Sequence, residues 1–78
     1  WNNGYTTEAV TSIINYLFDE CNYSIIEAII PSDNIGSIKV AEKCGMKIEA
    51  TLKNRYKNKI SGRINDLLIY SIFNDTNN

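Results

Sequence analysis

Seven residues near the middle of the chain, Ser24-Ile25-Ile26-Glu27-Ala28-Ile29-Ile30, form a β-branched run closed by Pro31. Isoleucine is stiff at χ1 and packs well on a pleated surface. A short apolar run of this kind predicts a strand buried on both faces, in a sheet covered by helices. The flanking sequence offers the helices. Ala9, Val10, Ile13, Ile14, Leu17, Phe18 and Cys21 recur at helical spacing and predict one wide apolar face from about Thr6 to Glu20, with Asn22 as the stop. After the run, Pro31-Ser32-Asp33-Asn34 reads as a turn and helix cap.

A second helix is expected from about Ile35 to Cys44, with Gly45 as the left-handed residue that ends it. Gly36 inside that helix costs about 1 kcal/mol relative to alanine, which a close-packed or close-bound backbone would explain. Ile48, Ala50 and Leu52 then alternate with Glu49, Thr51 and Lys53, the pattern of a strand with one wet face. Asn58 to Gly62 is a turn, and Ile64 to Phe73 the second strand of a hairpin. The order is helix, strand, helix, strand, strand: an α/β fold of mixed α+β character. Residues 1–73 read as one unit and 74–78 as a polar tail.

Length and charge narrow the function classes. A chain of 78 residues makes one small domain and buries only about 60% of the surface its unfolded form exposes. The formal net charge is −1, and no basic cluster is denser than Lys53 to Lys59, which argues against nucleic acid as the main partner. No apolar run approaches the ~20 residues of a membrane span, and no signal peptide opens the chain. The chain contains no His, no clustered metal ligands and no nucleophile–base pair, so no metal site is expected. Cys21 and Cys44 lie on apolar helix faces and read as small core thiols of a reducing, cytoplasmic compartment. The first residue is not Met, and the first helix has no strand before it to pack on; both lead to the expectation of a piece of a longer protein. Open edges on such a piece predict a homodimer or larger oligomer.

The opening carries the chemistry. Trp1 to Gly4 reads as a polar loop running into the helix at Tyr5-Thr6-Thr7-Glu8-Ala9. That arrangement aims free backbone N–H groups at one point, with the positive end of the helix dipole behind them, and suits a phosphate. The plain rival is an ordinary capped helix start.

Trp1-Asn2-Asn3-Gly4-Tyr5-Thr6-Thr7-Glu8-Ala9 resembles the acyl-CoA loop of the GNAT superfamily of N-acetyltransferases, whose pattern is Gln/Arg-x-x-Gly-x-Gly/Ala. The branch resembling ribosomal-protein N-terminal acetyltransferases has an aromatic-led version ending Gly-Tyr-Ala-Thr-Glu-Ala. Two further stretches are similar to the same family at its spacing. One is Asn34-x-x-Ser37 followed by Glu42-Lys43-Cys44-Gly45-Met46; the other is Gly62-x-x-x-Asp66-x-x-x-Tyr70-Ser71-Ile72. The resemblance covers nearly the whole chain but about half of the family's domain, its C-terminal half, with the N-terminal strands missing.

The resemblance implies acetyl-CoA as cofactor and an amine acceptor: a protein N-terminus, a polyamine or another small amine. Backbone N–H groups around Asn3, Gly4, Tyr5, Thr6 and Thr7 would hold the pyrophosphate. Asn34 would hydrogen-bond the pantetheine arm, Ser37 would sit near the thioester sulfur, and Lys43 would reach the outer phosphate. Thr6 departs from the family's Gly or Ala, and Met46 from its Phe. Ala41 stands where many members carry the Tyr that protonates the thiolate, which leaves Ser37 as the substitute acid; the base falls outside the chain. Asn34 and Ser37 also read as capping residues only, and Asp66 as a hairpin hydrogen-bonding residue. Lys53, Arg55, Lys57 and Lys59 read as a solvated strand face or as an attraction for an acidic acceptor. Tyr56 and Tyr70 read as packing residues with a hydroxyl at the rim.

Overall fold

The computed structural model describes residues 3–74, and for residues 3–5 the backbone alone. Trp1, Asn2 and the tail residues 75–78 lie outside the described residues. The described chain forms helix α1 (Asn3–Asp19), strand β1 (Ile25–Pro31), helix α2 (Ile35–Lys43) and strands β2 (Lys47–Lys57) and β3 (Ile64–Phe73).

α1 corrects the expected boundary. Asn3 and Gly4 already lie in the helix rather than in a loop, and the helix ends at Asp19. No proline interrupts the opening, and the first turn needs no intrahelical partners for its amides, so glycine there costs little. Asn22 ends the helix as expected. It adopts a left-handed backbone at φ 59°, and the Tyr23 N–H donates back to the Leu17 carbonyl at 3.1 Å.

α2 shows the same logic at both ends. Asn34 caps it, its Oδ1 accepting from the Ser37 N–H at 3.2 Å. Gly45 closes it at φ 92°, with Gly45 N–H donating to Glu42 O at 3.1 Å and Met46 N–H to Ala41 O at 3.0 Å. A Cβ at Gly45 would meet Ile72 Cδ1 at 3.5 Å, an ordinary contact. The cost of Gly45→Ala is therefore backbone strain alone. It is expected to lower stability by about 1–2 kcal/mol, read as a shift in the thermal unfolding midpoint.

The three strands form one antiparallel sheet in the order β1-β3-β2. Ala28 faces Tyr70 and Ile30 faces Leu68 across β1 and β3, on the side that both helices cover. Ile30, Ala41, Met46 and Tyr70 make the buried core there, with Ile38 and Leu68 packed against it. Met46 is 5% exposed in that core, where its flexible thioether packs.

Two expectations about the sheet fail. The strand read as buried on both faces is covered on one only: Ile25 and Ile29, on the side away from the helices, are 38% and 62% exposed. Both helices stack on the same face, so the β-branched run has no second cover among the described residues. The even alternation expected of β2 is also broken. Ile48 pairs with Tyr70 but Ala50 pairs with Ile69, with Glu49 as the extra residue of a bulge. Ile48 thus shares a face with Tyr70, and Ala50 and Leu52 turn to the opposite one.

Candidate functional site

Asn34, Ser37 and Ala41 lie three and four residues apart, so they share one face of α2. That face borders a cavity of about 570 Å³. Thr6 and Val10 of α1 wall it on one side and Ala28 and Ile30 of β1 on another, with Met46 beside them. Small-ligand sites occupy roughly 300–1,000 Å³ and are mostly apolar with a few placed polar groups. Here the polar groups are Thr6, Asn34 and Ser37, three residues singled out from the sequence.

The remaining site residues fall as follows. Asn3, Gly4 and Tyr5 occupy the first turn of α1, directly before Thr6. Thr7 lies in the next stretch of the same helix, and its carbonyl accepts from the Cys44 thiol at 3.6 Å. Thr11, one turn on, donates its hydroxyl to the Cys44 sulfur at 3.5 Å. Cys44 thereby ties the early turns of α1 to the C-terminal end of α2. Lys43 is exposed beside it, in the last turn of α2, and does not line the cavity. Its place next to Cys44 puts its backbone at the end of α2 that meets α1. Ala41 is buried and forms cavity wall.

The first turn of α1 carries no carboxylate of its own to neutralise its positive pole. Asn34 spends its Oδ1 on the cap of α2, while among the described residues no hydrogen bond takes up its Nδ2 group. That leaves a donor for a carbonyl in the cavity.

Sequence reasoning missed the apolar wall, because Ala28, Ile30 and Met46 come from elements whose meeting no spacing encodes. It also missed the pairing of Tyr70 with α2. The Tyr70 hydroxyl donates to Glu42 Oε2 at 3.0 Å. Burial, then that hydrogen bond, then the Glu42 charge push the phenol above its ordinary 10.0. The fold favours the protonated form, so this contribution to stability is complete below pH 10.0 and is lost as pH rises through the higher folded value. Chemical denaturation across pH is expected to show stability falling from pH 10.0 upward more in the wild type than in Tyr70→Phe. Asp66 is a hairpin residue in the structure: its Oδ1 accepts from Asn54 N–H at 3.0 Å, and its Oδ2 pairs with Lys53 Nζ at 3.6 Å.

Residues 1–47 match the acetyltransferase (GNAT) domain family. The uncharacterized N-acetyltransferase p20 of Bacillus licheniformis is 33% identical over 72 residues, which cover 92% of this chain and 39% of that protein. The crystal structure of a GNAT-family acetyltransferase from Bacillus anthracis superposes with a TM-score of 0.81 at 30% identity, over 94% of this chain and 43% of the other. A variant of the spermidine N-acetyltransferase SpeG from Vibrio cholerae shares the fold, with a TM-score of 0.78 at 23% identity over 90% of this chain and 40% of the other. The chain spans about two fifths of the length of these relatives. With the two helices and three-stranded sheet of those structures, and a family match over more than half of its residues, the chain belongs to the GNAT acetyltransferase family.

Proposed function

We propose that the whole protein transfers an acetyl group from acetyl-CoA to a primary amine by direct attack. The observation that carries this reading is the cavity at the early turns of α1, into which Thr6, Asn34 and Ser37 converge. The residues suit the cofactor's three parts. First-turn amides of Asn3, Gly4 and Tyr5 offer donors to a diphosphate, and Lys43 offers a cation for the outer phosphate. The apolar wall of Val10, Ala28 and Val40 suits the pantetheine chain, and Asn34 Nδ2 suits its amides. Acetyl-CoA supplies the acyl group as a thioester; the C–S bond breaks as the amine nitrogen forms the amide.

Ser37 holds a hydroxyl proton at the cavity wall for the departing sulfur, in place of the tyrosine that Ala41 replaces. Alignment of amine and thioester supplies much of the rate, since well-oriented groups reach effective molarities of ~10⁵ M or more. On this reading residues 1–73 form the later part of one acetyltransferase domain, with the base in the rest of it, and 74–78 are a polar tail. Free thiols and acetyl-CoA use both fit a cytoplasmic setting, and no described helix is long and apolar enough to cross a membrane.

A second reading, a CoA-binding or self-associating piece without turnover, draws support from Ala41 and applies to the 78-residue chain by itself. The open sheet face would then meet a second copy. Sedimentation of the 78-residue chain as a stable monomer at high concentration would remove that part. Calorimetry of the whole protein with acetyl-CoA tests both cofactor readings, and the absence of binding heat defeats both. Thiol release over an amine panel then separates enzyme from binder.

A further inference from the structure

The positive charge of this chain is concentrated in one place. Five of its eight Lys and Arg residues are Lys53, Arg55, Lys57, Lys59 and Arg63, and no Asp or Glu lies between Ala50 and Asn65. The other three cations are set against eight of the nine carboxylates, the ninth being Asp66 beside Lys53, so a chain of net charge −1 carries a basic arm on an acidic body. Among the described residues the one ion pair is that of Lys53 with Asp66. Arg55, Lys57, Lys59 and Arg63 are exposed.

The arm runs beyond the end of β1, which accompanies β3 only as far as Leu67; Ile64 and Asn65 pair with β2 alone. The ribbon ends in the Asn58–Gly62 turn, where Asn58 Oδ1 accepts from the Ile60 and Ser61 N–H groups and Ile60 is 99% exposed. Its turn end is stitched to the cavity rim. Asp33 Oδ2 accepts from Asn58 Nδ2 and from Asn65 Nδ2, each at 3.0 Å, and Ser32 N–H donates to Asp66 O at 2.9 Å. The next residue, Asn34, lines the cavity. By register Lys57 pairs with Ile64, on the same face as Leu68 and Tyr70, the side of the sheet that holds the cavity.

We infer that the acceptor amine is carried by an acidic polypeptide segment, received by the basic ribbon of β2 and β3 beside the cavity; this rests on the acetyltransferase reading. A cationic ribbon at the rim raises the local concentration of an anionic acceptor and repels a polyamine. Shielding of an edge strand by lysine accounts for charges on β2, but Lys59 and Arg63 lie off that edge, in the turn and ahead of central β3. Nucleic acid fits less well. The arm from Lys53 to Arg63 holds a single aromatic ring, the half-buried Tyr56, and the apex is an aliphatic side chain that suits an apolar residue of a peptide.

The test uses the whole protein and fluorescent peptides that share one free N-terminal residue and differ in charge: acidic with one leucine, neutral, and basic. Anisotropy is expected to show the acidic peptide binding at least about tenfold more tightly than the neutral one, with the preference shrinking as salt rises from about 50 to about 300 mM. Exchange of Arg55, Lys57, Lys59 and Arg63 for Glu is expected to reverse the order of peptides. The milder pair Lys57→Gln and Lys59→Gln is expected to reduce the preference in a protein with unchanged far-UV dichroism. Acetyl-CoA calorimetry runs beside it on each variant and is expected to be unaltered. Equal binding of all peptides, tighter binding of the basic peptide or spermidine, tighter binding of a short RNA, or loss of acetyl-CoA affinity on neutralising the ribbon each overturns the inference. Absence of acetyl-CoA binding in the wild type overturns the enzyme reading instead, and the peptide series still reports on the ribbon.

Discussion

Replacing Tyr70 with alanine is expected to cost about 3–5 kcal/mol, enough to unfold much of a domain whose total stability is about 5–15 kcal/mol. Tyr70 is 4% exposed, sits on the central strand and packs with Ile30, Ala41 and Met46. It has Ala28 opposite on one neighbouring strand and Ile48 on the other, so neither strand can move in to fill the hole. The loss divides into two parts. Tyr70→Phe keeps the ring and removes only the hydrogen bond to Glu42, for about 0.5–1.5 kcal/mol. The difference between the two variants is the cavity term. Denaturant titration of both reads it directly; an alanine variant no less stable than the phenylalanine one would show that this ring does not hold the core together.

Replacing Ser37 with tryptophan is expected to weaken acetyl-CoA binding about 10- to 100-fold, or ~1.4–2.8 kcal/mol, with little change in stability. Ser37 is exposed on α2 and forms part of the cavity wall, so an indole there takes space the ligand needs without entering the core. The cap survives, since Asn34 Oδ1 accepts from the Ser37 backbone N–H rather than from its side chain. Ser37→Ala separates space from chemistry: binding is expected to hold while turnover falls about 10²- to 10⁴-fold, the range for loss of a positioned acid. Calorimetry and thiol release measure the two. Wild-type affinity in the tryptophan variant would move the cofactor elsewhere, and wild-type turnover in the alanine variant would remove Ser37 from the reaction.

Local rules governed what the sequence made legible. Asn22 and Gly45 marked helix ends because left-handed backbone has few willing residues. Asn34 marked a start because its side chain reaches only the amides that follow it. Thr6, Asn34 and Ser37 meet at the cavity because helix starts gather donors, and the spacing of those starts is written in the chain. The boundary of α1 was read three residues late: Asn3-Gly4 suits a loop and a first turn equally, and no residue there forbids either. Glu49 was read as an ordinary wet-face residue because a bulge leaves no mark in a pattern of two. Asp33 was read as a turn residue only. Its grip on Asn58 and Asn65 spans 25 and 32 residues of chain, beyond any local signal.

By itself, then, the sequence determined the elements, their order, the stop of α1 and the caps of α2, because each depends on residues within a turn or two of one another. The tertiary structure alone decided that β3 runs between β1 and β2, that both helices share one face and leave Ile29 open, and that a cavity lies beneath α2. Those outcomes follow from which apolar surfaces meet, and burial is without direction along the chain: the same isoleucines would satisfy several packings, and only the assembled whole selects one.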